Sequence, residues 1–186
     1  MRFCRPAITI ATLLSGAAAF ASVELVRPQP DTVIFAMMSG KCNTLKVAGR
    51  DFRCRAVAFF QTEEGRANFT VALDDPADDN HVISFSGEYG HRTQDNLYVL
   101  AVDRMLLSNK SRPKADGLPI PSEVNSDGVC RQLGKFAARE VSNITCSATD
   151  KVGKKYELTF ESDGTPITLR RIRMSAPTIR LQDPYR

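Results

Sequence analysis

Two histidines, His81 and His91, are the side chains best suited to acid–base chemistry in this 186-residue sequence. A histidine oriented by a carboxylate can activate a serine, so a hydrolase built on either histidine is one hypothesis. The same two residues could instead share a metal ion with Asp79 or Glu88. Because surface and loop positions are the commoner setting for histidine, we favour a non-catalytic role for both.

The familiar sequence motifs of catalytic sites are missing from the chain. It contains no G-x-S-x-G, H-E-x-x-H, P-loop or G-x-G-x-x-G pattern, and it has no tryptophan. A thiol nucleophile is also excluded if the cysteines are paired, as argued below. The sequence therefore predicts a protein that is not an enzyme and that needs no cofactor.

An acidic stretch over residues 74–80 is the best candidate for metal binding. Asp74, Asp75, Asp78 and Asp79 offer carboxylate oxygens of the kind that Ca²⁺ prefers. The stretch lacks the alternating aspartates and the distal glutamate of an EF-hand loop. We therefore favour a solvated hairpin tip with no metal, and keep a calcium site as the weaker alternative.

Basic residues gather near the end of the sequence, although the formal net charge of the whole chain is only +4. Arg170, Arg171 and Arg173 are the candidates for contact with an anionic partner, such as an anionic component of the cell envelope or another exported protein. The alternative is that they protect an edge strand or offset the acidic stretch. Aromatic residues do not alternate with these arginines, so nucleic-acid binding is not predicted.

The first 21 residues have the features of a secretory signal peptide. Arg2 and Arg5 precede an apolar run, and Ala19 and Ala21 fit the peptidase pocket for cleavage between Ala21 and Ser22. The apolar run, about 15 residues long, is too short to cross a bilayer. We expect an exported protein, periplasmic or secreted and with a bacterial source favoured, that has no transmembrane segment once the signal is removed.

The cysteines support this compartment, because removing Cys4 with the signal leaves an even set. Four cysteines allow three pairings, and an oxidising compartment favours disulfides over free thiols. Each neighbouring pair is spaced for a hairpin, in which facing positions have the separation that a disulfide needs. We therefore predict the disulfides Cys42–Cys54 and Cys130–Cys146.

The two cysteine pairs lie in similar sequence, which predicts an internal duplication with one disulfide hairpin in each half. Residues 40–45 match 128–133, and a similar succession of alternating strands follows each second cysteine. The predicted organisation is a cleaved signal peptide (1–21), a first β half (22–107), an inter-half loop (108–126), a second β half (127–174) and a flexible C-terminal tail (175–186).

Alternation of apolar and polar residues, with period 2, dominates both halves and predicts an all-β fold. Predicted strands cover 32–38, 42–47, 52–62, 66–73, 81–87, 96–107, 139–149, 155–162 and 165–174, and residues 131–138 fit either a strand or a short helix. The dipeptide Asp163-Gly164 predicts a tight hairpin between the last two strands. An antiparallel barrel or sandwich of about eight to ten short strands follows, because an open sheet would expose unpaired edges.

One short segment carries a family resemblance. Ser86-Gly87-Glu88-Tyr89 resembles the Ser-Gly loop, close to a tyrosine, of small exported β-barrels that inhibit lysozymes and contain a disulfide. The resemblance implies a lysozyme-inhibitor-like protein and motivates one inhibition assay.

The function that these features favour is a non-enzymatic binding or interaction module at the cell envelope. A stapled β scaffold would present its loops to a protein, a polysaccharide or a membrane surface. The alternatives are a carrier with a small ligand inside the barrel, a lysozyme-inhibitor-like protein and, last, a hydrolase that uses His81 or His91.

We predict that the exported protein begins at Ser22, because small residues at Ala19 and Ala21 match the signal peptidase. Intact-mass measurement of protein exported by its host would show this N-terminus, and an Ala19→Lys control should stay unprocessed. A mass that retains Met1, or that carries a lipid, would contradict the prediction.

Overall fold

The computed structural model of the chain describes residues 32–61, 65–88, 90–93, 96–115, 117–135 and 138–173. The predicted signal peptide and the C-terminal tail lie outside these ranges. Every regular element within them is a β-strand. The strands are β1 (Thr32–Val47), β2 (Arg50–Asp51), β3 (Ala56–Gln61), β4 (Ala67–Ala72), β5 (Val82–Gly87), β6 (His91–Arg92), β7 (Leu97–Ser108), β8 (Lys114–Ala115), β9 (Leu118–Pro119), β10 (Ser122–Lys135), β11 (Glu140–Asp150), β12 (Lys155–Ser162) and β13 (Thr168–Arg173).

Eight of these strands close into an antiparallel barrel. Their order around the wall is β1, β3, β4, β5, β7, β10, β11 and β12, and β12 then pairs with β1 to complete the circuit. The pairing of β7 with β10 joins the two predicted halves into one wall. The predicted all-β antiparallel barrel is therefore confirmed. In the described ranges, no helix has the length and hydropathy needed to cross a bilayer.

The barrel interior is filled by side chains that alternate inwards along each strand. On β4, for example, Ala67, Phe69 and Val71 are buried while the residues between them are not. Residues from both predicted halves belong to a single core cluster. Its largest fully buried side chains are Tyr156, Phe59, Phe69, Phe85, Phe160, Met38, Leu45, Ile83, Leu100, Met105, Ile144 and Leu158.

Both predicted disulfides are present, one in each half. Cys130 and Cys146 face each other on β10 and β11, with their Cα atoms 4.0 Å apart. Cys42 on β1 is bonded to Cys54 just before β3, with a Cα separation of 5.3 Å. The duplication itself stays a prediction.

The predicted hairpin at Asp163-Gly164 is wrong. β12 pairs with one part of β1 (Gly40↔Ser162) and β13 with the next part (Met37↔Thr168), so the two strands run in the same direction. The chain does not reverse because the Asp163 N–H still donates to the Ser39 carbonyl, at 3.1 Å. The Asp163 carboxylate then accepts the Thr165 N–H at 2.8 Å, and this closes a local turn in the link between the strands.

The long connector is also partly structured. β10 begins at Ser122, inside the stretch assigned to the inter-half loop, because Val124 pairs with Met105 of β7. The short strands β8 and β9 form a separate two-stranded sheet within the same connector. The ambiguous stretch after Arg131 is strand as far as Lys135.

We predict that removing the second disulfide, by Cys130→Ala with Cys146→Ala, lowers the free energy of unfolding by about 2–5 kcal/mol. The bond closes a loop between directly paired strands, so its loss enlarges the unfolded ensemble. Denaturant unfolding of the oxidised protein measures the change, and Cys42→Ala with Cys54→Ala provides the matched comparison. An unchanged unfolding midpoint would contradict a stabilising role.

Candidate functional site

The two histidines lie at opposite ends of the barrel. Val82, next to His81, pairs with Ser108 of β7, whereas His91 pairs with Val99 of the same strand. Nine positions along a strand, at about 3.3 Å each, separate them by roughly 30 Å. A metal site shared by the two histidines is therefore excluded by geometry.

His81 is held in a local hydrogen-bonded arrangement. Its Nδ1 lies 2.9 Å from a carboxylate oxygen of Asp75, and the Phe52 ring packs edge-on against the imidazole with centroids 5.0 Å apart. Asp75 also accepts the Ala77 N–H at 3.0 Å. Hydrogen bonds from His81 and from the Ala77 backbone hold the pKa of Asp75 below its usual value. These contacts fix the loop after β4.

The other candidate calcium ligands are not gathered around a common point. Asp78 is buried and accepts the N–H groups of Asn80 and Lys110, both at 2.9 Å, which ties the acidic loop to the connector. Asp74 and Asp79 are exposed. Across the part of the chain that the structure describes, no group of three or more His, Cys, Asp or Glu side chains could hold a metal ion.

Ser86, the serine of the lysozyme-inhibitor resemblance, is buried in the barrel wall. Its hydroxyl accepts a hydrogen bond from Arg66 at 2.9 Å, and only 1% of the residue is exposed. Gly87 lies so close to β7 that a Cβ there would meet the Ala101 carbonyl oxygen at 1.8 Å. Tyr89 lies outside the described residues. Ser86 is therefore not presented to a partner in this conformation.

Arg66 links three strands of the same wall. Its guanidinium donates two hydrogen bonds to Asp103 on β7, at 2.9 and 3.1 Å, and one to Glu88 at 2.6 Å. Burial works against ionisation of Asp103, but the hydrogen bonds from Arg66 and Arg104 outweigh it and lower the pKa of this carboxyl. The charges of Arg66, Asp103 and Glu88 are therefore paired with one another within the fold.

The barrel wall has an opening where β12 gives way to β13. β11 pairs with β12 as far as Asn143↔Glu161, while β13 continues along β1. Among the described residues, β13 has a strand partner on one edge alone. We call the resulting cleft, of about 600 Å³, the notch. It is lined by Asn96, Leu133, Gly134, Arg139, Glu140, Val141, Ser142, Glu161, Ser162, Gly164 and Thr165.

Local backbone features shape the hairpin side of the notch. The register of β10 and β11 shifts next to Gly134, whose φ of 107° and close approach to Glu140 require glycine. Asn96 and Arg139 also have positive φ, of 59° and 57°. Such a conformation is uncommon for arginine, so the fold holds Arg139 in a constrained position at the rim.

The inner side of this barrel end is closed by Tyr98, Arg92 and Gln132. Arg92 lies over the Tyr98 ring at 5.5 Å and donates to the Gly134 carbonyl at 2.7 Å. Gln132 is fully buried and donates to the same carbonyl. Burial raises the pKa of Tyr98 to about 12, against the opposing effect of Arg92. Two side chains, Arg92 and Gln132, therefore hold the carbonyl of Gly134, which lines the notch.

The predicted arginines lie on β13, the strand that follows the notch residues Gly164 and Thr165 along the chain. Arg170 and Arg171 are both exposed, and they point to opposite faces of the strand because neighbouring positions alternate. Arg170 pairs with Phe35, whose ring contacts Phe60 at 4.9 Å between centroids. Met37, the next outward residue on β1, is 44% exposed. The structure does not describe the side chain of Arg173.

The comparisons with known proteins found no match: no family model, no curated protein and no solved structure is similar to this chain.

Sequence reasoning named Arg170 and Arg171 as binding candidates, which stay predictions, and it missed the notch and its rim residues Arg139, Ser142 and Thr165. The register shift and the change of strand beside β1 create the notch, and both depend on long-range pairing. The one available signal was Gly134, a glycine inside an otherwise strand-like run.

We predict that Asp75→Asn flattens the acid branch of the stability profile. Because the folded pKa of Asp75 is lowered, its carboxylate stabilises the fold above the ordinary pKa of about 3.8. This contribution is lost as the pH falls through the lowered value. Thermal unfolding between about pH 5 and pH 3 should therefore show a smaller fall in Tm for the variant than for wild type.

Asp74→Asn, which removes the same charge from the neighbouring exposed position, is the control and should follow the wild-type profile. Parallel acid branches for wild type and Asp75→Asn would show that the Asp75–His81 contact does not stabilise the fold.

Proposed function

We propose that this protein is an exported, non-enzymatic binding module that holds an anionic partner at the notch. The partner class is another exported protein or an anionic component of the cell envelope. The disulfides and the signal-like N-terminal sequence support the assignment to an oxidising compartment.

The observation that carries the proposal is the contrast between the filled interior and the open wall. Phe59, Phe69, Phe85 and Phe160 occupy the barrel core, so a partner has to bind from the outside. The notch offers a concave surface of about 600 Å³ beside a strand edge. Concave surfaces that combine apolar and polar groups are the usual setting for recognition.

The charges that are free to act at this surface favour an anion. Arg139 is exposed in the lining of the notch, and Arg170 and Arg171 are exposed on β13, the strand that follows it along the chain. Glu140 is exposed in the lining of the notch, whereas the other nearby acids are engaged: Glu161 binds Asn43 and Lys41, and Asp163 binds the Thr165 backbone. The hydrogen bond from the Asn43 side chain is the main cause that lowers the pKa of Glu161. The hydrogen bond from the Thr165 N–H lowers the pKa of Asp163. The three exposed arginines outnumber Glu140, so the excess charge that can meet a partner is positive.

The alternatives have less support. A carrier needs space on the barrel axis, where the aromatic core lies. A lysozyme inhibitor of the kind resembled needs Ser86 at the surface, and it is buried. A hydrolase needs a nucleophile beside a histidine. Asp75 orients His81, but among the described residues no serine or threonine hydroxyl is hydrogen-bonded to His81 or to His91.

We expect the double variant Arg170→Glu with Arg171→Glu to weaken partner binding by about tenfold or more, equivalent to about 1.4 kcal/mol. The immobilised, oxidised protein would retain partners from its own exported fraction, and binding of each identified partner would then be measured at several salt concentrations. Wild-type affinity should fall as salt rises, because the contacts are between exposed charges.

Lys151→Glu with Lys155→Glu makes the same charge change at the opposite barrel end and should leave binding unaltered. Equal weakening by both double variants would contradict a site at the notch. Turnover of a generic ester, peptide or glycan that is lost in His81→Ala or His91→Ala would contradict the non-enzymatic part.

A further inference from the structure

We infer that the occupant of the notch is an extended acidic segment of another protein, which adds as a new strand to the free edge of β13. This inference rests on the proposed function and specifies the partner class and the binding mode. Strand addition uses main-chain hydrogen bonds for affinity and alternate side chains for specificity.

The backbone of β13 supplies the template. Its six residues pair with β1 from Thr32↔Arg173 to Met37↔Thr168 without a register shift, so the strand is regular along its length. Half of its N–H and C=O groups point to the other edge, where the described residues place no strand. At about 3.3 Å per residue, this edge is roughly 20 Å long.

The faces of β13 define which side chains an added strand should carry. Leu169 packs against the core, and Arg170 lies on the outer face beside Phe35. Side chains on an added strand fall beside those of β13 on the same face, at cross-strand contact distance. An acidic residue next to Arg170, and a second one next to Arg171 at the exposed rim, would be paired with opposite charge. A small apolar residue would lie beside Leu169, at the position that precedes the arginine pair along β13.

The notch gives the added strand a place to continue. It extends from the β12–β13 link at Gly164 and Thr165 across to Val141 and Ser142 on β11. A segment that enters here is flanked by the β12–β13 link on one side and by the β10–β11 hairpin on the other. Arg139 at the hairpin rim contributes a third cation.

The same arginines argue against a second copy of this chain as the occupant. Edge-to-edge pairing of two β13 strands would bring Arg170 and Arg171 of one copy close to those of the other. Like charges that face each other across strands are destabilising, and cations are a common protection of exposed edges. An acidic strand meets the opposite condition and is favoured.

The first experiment selects from a display library of random peptides about ten residues long, enough to span β13. The selection uses the full oxidised protein as exported. We expect the enriched peptides to be acidic with alternating apolar residues, and synthetic copies should bind wild type at least tenfold more tightly than Arg170→Glu with Arg171→Glu. No enrichment over that double variant would overturn the inference.

Backbone pairing is tested by N-methylation of the enriched peptides, one residue at a time. Methylation at alternate positions should reduce affinity tenfold or more, and methylation between them should have little effect, since a strand donates to one neighbour with every second N–H. Amide hydrogen exchange within residues 168–173 should slow on binding. Affinity that is insensitive to every N-methyl group would overturn strand addition.

Ser142→Trp, which fills the notch from an exposed position, should abolish peptide binding, and Thr149→Trp on the same strand should not. Equal binding to both variants would overturn the location.

Sedimentation of the chain alone is expected to show a monomer. A dimer that dissociates in Arg170→Glu with Arg171→Glu would identify a second copy as the occupant and overturn the inference. If the natural partner stays salt-sensitive while N-methylation has no effect, strand addition fails and the proposed function stands.

Discussion

The pairing of β1 on both of its edges is the constraint on which the rest of the structure depends. This strand has 16 residues and is longer than each of the strands β3, β12 and β13 that pair with it. β3 pairs with one of its edges, and β12 and then β13 pair with the other. The β12 contact closes the barrel and encloses the core. The β13 contact extends β1 beyond the closed wall, and so leaves the far edge of β13 beside the notch. The closure of the barrel and the opening at the notch therefore both follow from the length of β1.

Some charged residues of the described ranges have partners and others are exposed, and both kinds occur at each end of the barrel. At the acidic end, Asp75 and Asp78 are bound by His81 and by backbone N–H groups, so their charge organises loops. In the wall, Arg66 is bound by Asp103 and Glu88 and is about three-quarters buried. On β13, Arg170 and Arg171 are exposed on a strand that pairs along one edge alone within the described residues. A charge that already has a buried or hydrogen-bonded partner gains little from a ligand, whereas an exposed cation beside free backbone groups gains most.

The sequence contained enough information to predict the class of fold and its covalent links, because both depend on local patterns. Alternation identified nearly every strand of the wall, and the spacing of the cysteines selected the two disulfides. The error at Asp163-Gly164 has a physical cause. A turn dipeptide reports local backbone preference, but the partner of the following strand is decided by β1, more than 120 residues away in sequence. The notch escaped prediction for the same reason, since residues such as Ser142 and Thr165 become neighbours only when the wall is assembled.

An exposed strand edge is a hazard for any β protein, since its free backbone groups pair with whatever strand approaches. Arginines on the edge reduce this hazard because they repel the arginines of an identical copy. An uncharged strand from another protein gains no electrostatic attraction from them. An acidic strand is attracted by the same charges, at long range during encounter and at short range after docking. The same positive charge therefore repels identical copies and attracts an acidic strand. Under the proposed binding mode, Arg170 and Arg171 would oppose edge-to-edge pairing of β13 and would favour partners of opposite charge.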